Sequence, residues 1–248
     1  MRSKKSPTVY KKKLLSTVKD FFQYWKKSDQ QLLEEVLDGF KFDVMKEGDK
    51  HFAIIGENKF EIKSKKSSAI GIFLANIPYF VYGEGQLIWD LPEKVAEIQR
   101  YAIKLIEFPC LSHVTTLETY LILEMGLRSL YTTWLGDVAT IKYKDHKVKV
   151  KHPTYRRLKL YLRKKGWSIY KVKVNGEVFP FSQGSLLTWA SKFIRDERAD
   201  LAIRLAINVR NLLAHGELEW ELYPTLESIK SSSFLVAMMF SNLKLRKS

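Results

Sequence analysis

The chain predicts a mainly α-helical fold with small β elements, an α+β protein. Three observations carry this. Long stretches repeat apolar residues at helical spacing, short runs alternate apolar and polar residues between glycine turns, and 46% of the 248 residues are hydrophobic. That length supplies core for one large domain or two small ones.

The elements follow in order. Leu14, Leu15, Val18, Phe21, Phe22, Trp25, Leu32, Leu33, Val36 and Leu37 predict a helix over Lys11–Leu37, with Gly39 as its stop. Phe40-Lys41-Phe42-Asp43-Val44 and Phe60-Glu61-Ile62 alternate, and Gly48 and Gly56-Glu57-Asn58 supply turns, which predicts a small antiparallel sheet. Residues 67–82 are apolar without a decisive period. Pro92 sits in the first turn of a helix through Val95, Ile98, Tyr101, Ala102 and Leu105, ending near Pro109. Thr115-Thr116-Leu117-Glu118 has the form of a capping box opening a helix that runs to Gly136.

Beyond it, Lys147–Val150 and Tyr170–Val174 read as strands, Tyr155–Lys164 as a short basic helix, and Asn175-Gly176 as a hairpin turn. A helical pattern spans about Ser185 to His215, broken around Asp196–Ala199, and a last helix covers Thr225–Leu243 after Pro224. The expected division is an α+β region of helix and β-hairpin over residues 1–110, followed by a helical region over 111–248 with a basic insertion at about 140–180.

Charge is unevenly placed. The net charge is +15, and residues 1–27 hold nine basic side chains against Asp20 alone. Residues 142–173 hold thirteen against Asp145 alone. Such blocks attract polyanions by releasing counterions, whatever the base sequence. A solubilising surface is the plain alternative for either block. Tyr143, Tyr155, Tyr161, Trp167 and Tyr170 interleave the second block and offer rings for base stacking, although strands use such residues in cores too. Lys142, Lys144, Lys147, Arg156, Arg157, Arg163, Lys164 and Lys165 are therefore the candidate RNA-binding residues.

Other chemistries find little support. The single Cys110 excludes an internal disulfide and a cysteine-rich zinc site. Gly83-Glu84-Gly85 lacks the third glycine and the lysine of a phosphate loop. Asp196, Glu197 and Asp200 come nearest to a metal-binding cluster but read as a solvated helix face, so no metal or cofactor is expected. The longest apolar stretch, Ala69–Val81, contains Pro78 and is too short for a bilayer, and no secretory leader pattern is present. The expectation is a soluble, cytoplasmic protein without a membrane partner.

Arg210-Asn211-Leu212-Leu213-Ala214-His215, followed by Gly216, stands apart. Arginine is a permanent cation that grips phosphate through paired hydrogen bonds. Histidine exchanges its proton near neutral pH. On one helix Asn211 and His215 share a face, with Arg204 and Asn208 extending that polar stripe. Gly216 is a natural C-cap, which places His215 at a helix end whose partial negative charge favours imidazolium. Leu205, Leu212 and Leu213 are expected to anchor the opposite face.

This stretch resembles the arginine, polar residue, three residues, histidine signature of HEPN ribonucleases, and Leu117-Glu118-Thr119-Tyr120 looks like the opening helix of many HEPN bundles. The resemblance covers Ser112–Ser248 and implies a four-helix bundle interrupted by the basic insertion. It implies a metal-independent endoribonuclease of the toxin, antiviral-defence or CRISPR-associated type. Its composite site would lie at a homodimer interface, with Arg210, Asn211 and His215 catalytic. A 2′-hydroxyl would attack phosphorus, leaving a cyclic phosphate and a 5′-hydroxyl, so DNA should bind but survive. Two alternatives stand beside it. One is a non-catalytic nucleic-acid-binding or regulatory HEPN-like protein. The other is the HEPN half of a toxin–antitoxin pair with a nucleotidyltransferase partner, or a member of a defence complex.

Overall fold

The computed structural model describes residues 43–55, 57–61, 66–168, 170–216 and 221–247. The helix expected over Lys11–Leu37 and the basic block of residues 1–27 lie outside them. The described chain is mainly α-helical with two small antiparallel sheets, as its periodicity predicts. It forms two compact units, one holding the chain through Leu123 and again Asp196–Leu235, the other Glu124–Arg195 and Val236 onward. Two of the three boundaries fall inside long helices, where no composition shift marks them, and the third falls at Arg195/Asp196, where a helix begins.

In the first unit, β1 (Asp43–Glu47), β2 (Lys50–Ile55) and β3 (Asn58–Glu61) form a meander in the order β1-β2-β3. Gly48 turns the first hairpin at φ 56°. The apolar stretch without a clear period resolves into α1 (Lys66–Ala75) and α2 (Ile77–Tyr82), split by Asn76 and restarted by Pro78. Every residue from Gly71 to Pro78 is buried, so no polar face is available to reveal the helix.

Asn76 is fully buried and fully used. Its amide donates to the carbonyls of Ile72 (2.8 Å) and Tyr223 (2.7 Å), and its oxygen accepts from the backbone N–H (3.0 Å) and hydroxyl (2.6 Å) of Thr225. This pins the segment before the last helix onto the α1/α2 break. A side chain at Gly71 would strike the Glu221 carbonyl at 1.8 Å, so the same segment needs glycine there. α3 (Glu93–Leu105) buries Val95, Ala96, Gln99 and Ala102, with Gln99 donating to Ser233 at 2.7 Å.

α4 (Ser112–Leu135) starts earlier than its apparent capping box. A 3-10 turn at Pro109–Leu111 already winds the chain, so the Thr115 and Thr116 hydroxyls donate to the Leu111 and Ser112 carbonyls one turn back. Thr115 is thus inside the helix and caps nothing. α7 (Glu197–Ala214) packs along α2, and α8 (Leu226–Lys247) closes the chain.

The second unit is built around the four-stranded sheet β5-β4-β6-β7, with β4 (Val138–Tyr143), β5 (His146–Lys151), β6 (Lys173–Val174) and β7 (Glu177–Val178). Asn175 and Gly176, at φ 49° and 87°, make the β6–β7 turn. Thr154 caps α5 (Tyr155–Lys164), accepting from the Arg157 N–H, and α5 buries Tyr155, Leu158 and Leu162. The core is aromatic: the Tyr131 ring meets Trp134, Tyr155, Phe179 and Trp189 at centroid distances of 5.2, 5.6, 5.6 and 4.7 Å. α6 (Gln183–Ala190) begins with a reciprocal cap between Ser182 and Ser185. In α4, Gly126 leaves no room for a Cβ against Val236. Among the described residues no helix is long and apolar enough to cross a membrane.

Candidate functional site

The Arg–His motif occupies the last turn of α7. Asp196 breaks the preceding chain and caps the helix, accepting from the N–H groups of Arg198 (2.8 Å) and Ala199 (3.4 Å). Asp200 pairs with Arg204 at 3.0 Å one turn on. These two acids are therefore spent on the helix itself, and no group of three His, Cys, Asp or Glu side chains suited to a metal occurs among the described residues. The buried positions of α7 run from Ala199 to Val209 and stop there.

Past Val209 the helix surfaces. Arg210 and Asn211 are half-buried and His215 is exposed. Leu212 and Leu213 are only half-buried, so the expected anchoring of the opposite face holds for Leu205 but not for them. His215 is the C-cap, its N–H donating to the Asn211 carbonyl at 3.1 Å, and Gly216 follows at φ 70°, a left-handed turn that glycine adopts without strain. Arg210 Nη1 donates to Asn211 Oδ1 at 2.9 Å. The asparagine thus orients the arginine, where the helical spacing points it to the histidine. The His215 ring makes no side-chain hydrogen bond among the described residues and faces solvent beside that pair.

The eight RNA-binding candidates separate onto different surfaces of the second unit. Strand alternation and register put Ala139, Ile141 and Tyr143 with Val148 and Val150 on the inner face of the sheet. The outer face carries Lys142, Lys147 and also Lys149, Lys151 and Lys173. Lys142 lies directly opposite Lys147 on one side and Lys173 on the other, so three ammonium groups stand abreast across three strands. All five lysines are exposed, none forms an ion pair among the described residues, and no acid shares the face. Lys144 occupies the β4–β5 turn at φ 51° over the Tyr143 ring. Arg156, Arg157, Arg163, Lys164 and Lys165 line the exposed side of α5 and its end. Burial, with the Arg163 and Arg128 guanidinium groups nearby, pushes the Lys159 ammonium of α5 below its ordinary value.

The interleaved aromatics are mostly engaged with one another. Tyr143 stacks on Trp167 at 4.9 Å, whose edge meets Tyr161 of α5, and this links α5 to the inner face of the sheet. Tyr155 is core. Tyr170 alone of the five is free for a base to stack upon, being 82% exposed.

Comparison of the chain with protein-family models, with curated proteins and with solved structures gives no match. Function is therefore read from this chain's own chemistry.

Two features carry no sequence signal. A cavity of about 450 Å³ in the first unit is walled by Phe60, Phe108, Cys110, His113, Glu221 and Tyr223, brought together from distant segments. Burial and a 2.5 Å hydrogen bond to the Glu221 carboxylate push the Tyr223 phenol up to about 12, so it keeps its proton at any ordinary pH. His113 lies in the first turn of α4. In the second unit the Lys192 ammonium donates to Glu177 at 2.6 Å and lies over the rings of Trp134, Trp189 and Phe193. That cation is consumed by the fold.

Proposed function

We propose that the chain is a metal-independent endoribonuclease of the kind its motif resembles, HEPN, acting as a homodimer whose two α7 ends supply one composite site. The observation that supports this best is the last turn of α7, where the joined Arg210–Asn211 pair sits one turn from the exposed His215 imidazole. The half-buried Leu212 and Leu213 beside them offer the apolar surface that a second copy would cover.

The chemistry follows from the groups. The 2′-hydroxyl of RNA gives up its proton to water as its oxygen attacks the adjacent phosphorus, and the bond from phosphorus to the 5′-oxygen breaks. His215 passes its proton to that departing oxygen, leaving a cyclic phosphate and a 5′-hydroxyl. Arg210 neutralises the charge that gathers on the phosphoryl oxygens, the larger electrostatic contribution. Asn211 holds the guanidinium in place. DNA lacks the attacking hydroxyl and survives.

The test is cleavage of labelled RNA in EDTA by the wild-type chain, His215→Ala and Arg210→Ala, with dimerisation read by sedimentation. Loss of cleavage in both variants, with fold and dimer retained, supports the reading. Undiminished cutting by both, or an intact wild-type chain that never cuts RNA, refutes it. The second outcome would favour a non-catalytic nucleic-acid-binding protein, the reading to which the unopposed lysines of the sheet point.

A further inference from the structure

We propose that the outer face of the four-stranded sheet is a track for the phosphodiester backbone of single-stranded nucleic acid, held charge by charge without base reading. It takes its ligand class from the nucleic-acid reading above but stands apart from scission. Lys147, Lys149 and Lys151 follow one another along β5 at alternate positions, hence at steps of about 6.7 Å. That is the order of separation between successive phosphates on an extended strand, which suits one lysine to each. Lys142 and Lys173 continue from Lys147 across β4 and β6 at strand spacing, about 4.8 Å. The array is thus a line with a cross-arm.

Ordinary surface design argues against such an array. Like charges directly opposite each other on adjacent strands destabilise a sheet, and native surfaces intersperse acids. Here five lysines share a face with Thr140, Val138 and Val178 and no carboxylate. A polyanion removes the repulsion by lying along it. A lipid surface is a poorer partner, since the apolar side chains on this face among the described residues are Val138 and Val178, too short to wedge into a bilayer. Tyr170 is exposed three residues before Lys173 in the chain, and a ring of that kind suits a splayed base, which single strands offer and duplexes do not. The basic side of α5 is a separate surface, because α5 joins the inner face of the sheet through Trp167.

The experiment measures binding of the full chain to labelled oligothymidylate by fluorescence anisotropy across a salt series. DNA cannot be cut by 2′-hydroxyl attack, so binding is read without turnover. The Lys147→Gln/Lys149→Gln/Lys151→Gln variant is expected to flatten the slope of log K against log salt by about 2, at roughly 0.7 for each phosphate no longer neutralised. A Lys94→Gln/Arg100→Gln/Lys104→Gln variant of α3, which removes three exposed cations of the first unit, should leave the slope where it was. Lys142→Gln/Lys173→Gln serves if the triple variant does not fold, and should flatten the slope by about 1.4. A slope that holds in the sheet variants, or that falls as far in the α3 variant, overturns the proposal. So does a wild-type chain that ignores oligothymidylate, prefers duplex, or binds anionic vesicles with equal salt dependence. Failure here leaves His215 chemistry untouched, and an inactive His215 leaves this binding untouched.

Discussion

Reversing one charge, Lys142→Glu, should make the protein more stable while weakening its grip on nucleic acid. Lys142 stands between Lys147 and Lys173 in register, so the substitution converts two repulsive cross-strand pairs into two attractive ones. Directly opposed side chains contribute roughly 0.2–1 kcal/mol each, and all three positions are exposed, where solvent screening keeps such pairs near the low end. Removing two repulsions and adding two attractions then gives a net gain of about 1 kcal/mol. Lys142→Thr, which only removes the repulsion, should give about half of that. Urea denaturation in low salt measures the gain as a higher midpoint with an unchanged slope, and the difference should shrink in high salt. Binding to oligothymidylate should weaken and its salt slope should fall by at least about 0.7. A variant that is less stable than the wild type, or that binds with an unaltered slope, would refute the reasoning on both counts.

Asn76→Ala strips four buried hydrogen bonds and leaves the Thr225 N–H and hydroxyl without their acceptor, so a loss of about 3–5 kcal/mol is expected in chemical denaturation. A loss below about 1 kcal/mol would mean that water replaces the amide. Burial raises the Glu118 carboxyl above its ordinary 4.5, so the folded state binds that proton more tightly than the unfolded one. Its ionisation therefore lowers stability as pH rises from 4.5 through the folded value, and Glu118→Gln should raise the melting temperature at neutral pH but not below that window. Asn211→Ala frees the Arg210 guanidinium from its 2.9 Å hydrogen bond, and should slow RNA cleavage by roughly 3–30-fold without touching fold or dimer, far less than Arg210→Ala. Equal losses in the two variants would give Asn211 a direct role.

Local signals are legible where they are complete. α5 runs over Tyr155–Lys164 because a threonine cap, apolar spacing and a following left-handed Gly166 all agree, and Asn175-Gly176 makes its turn for equally local reasons. Thr115 misleads because a threonine one turn into a helix looks the same in sequence as one at its start. Only the 3-10 turn at Pro109–Leu111 distinguishes them. α1 and α2 are illegible because unbroken burial from Gly71 to Pro78 removes the polar face that would show the period. Lys142 and Lys147 stand out as candidates in the linear chain, whereas Lys149, Lys151 and Lys173 do not. Their common face depends on β4 pairing with both β5 and β6, and the second pairing spans a whole helix of intervening chain. The rings of Tyr143 and Trp167 look available for bases because a linear reading cannot show that each already covers the other.

The end of α7 suits the reactive pair we propose, because a helix can carry such residues there at little cost to its own anchoring. The stretch from Ala199 to Val209 holds all of its buried side chains, and Asp196 fixes its start. The helix is therefore anchored by its earlier turns, and its last turn is free to be chosen for other ends. Arg210 and Asn211 follow half-buried and His215 exposed, and Gly216 ends the helix by conformation alone. His215→Ala, at the exposed end, should cost little stability, so any loss of cleavage there reports on chemistry or on pairing with a second copy. The same division holds in the second unit. Its inner sheet face and aromatic core carry the folding energy, and its outer face accumulates charge that folding alone would disfavour. Where a surface departs from what stability favours and the core beneath it does not, the departure is grounds to propose a ligand, and three lysines abreast with two more along β5 are the grounds for proposing a polyanion.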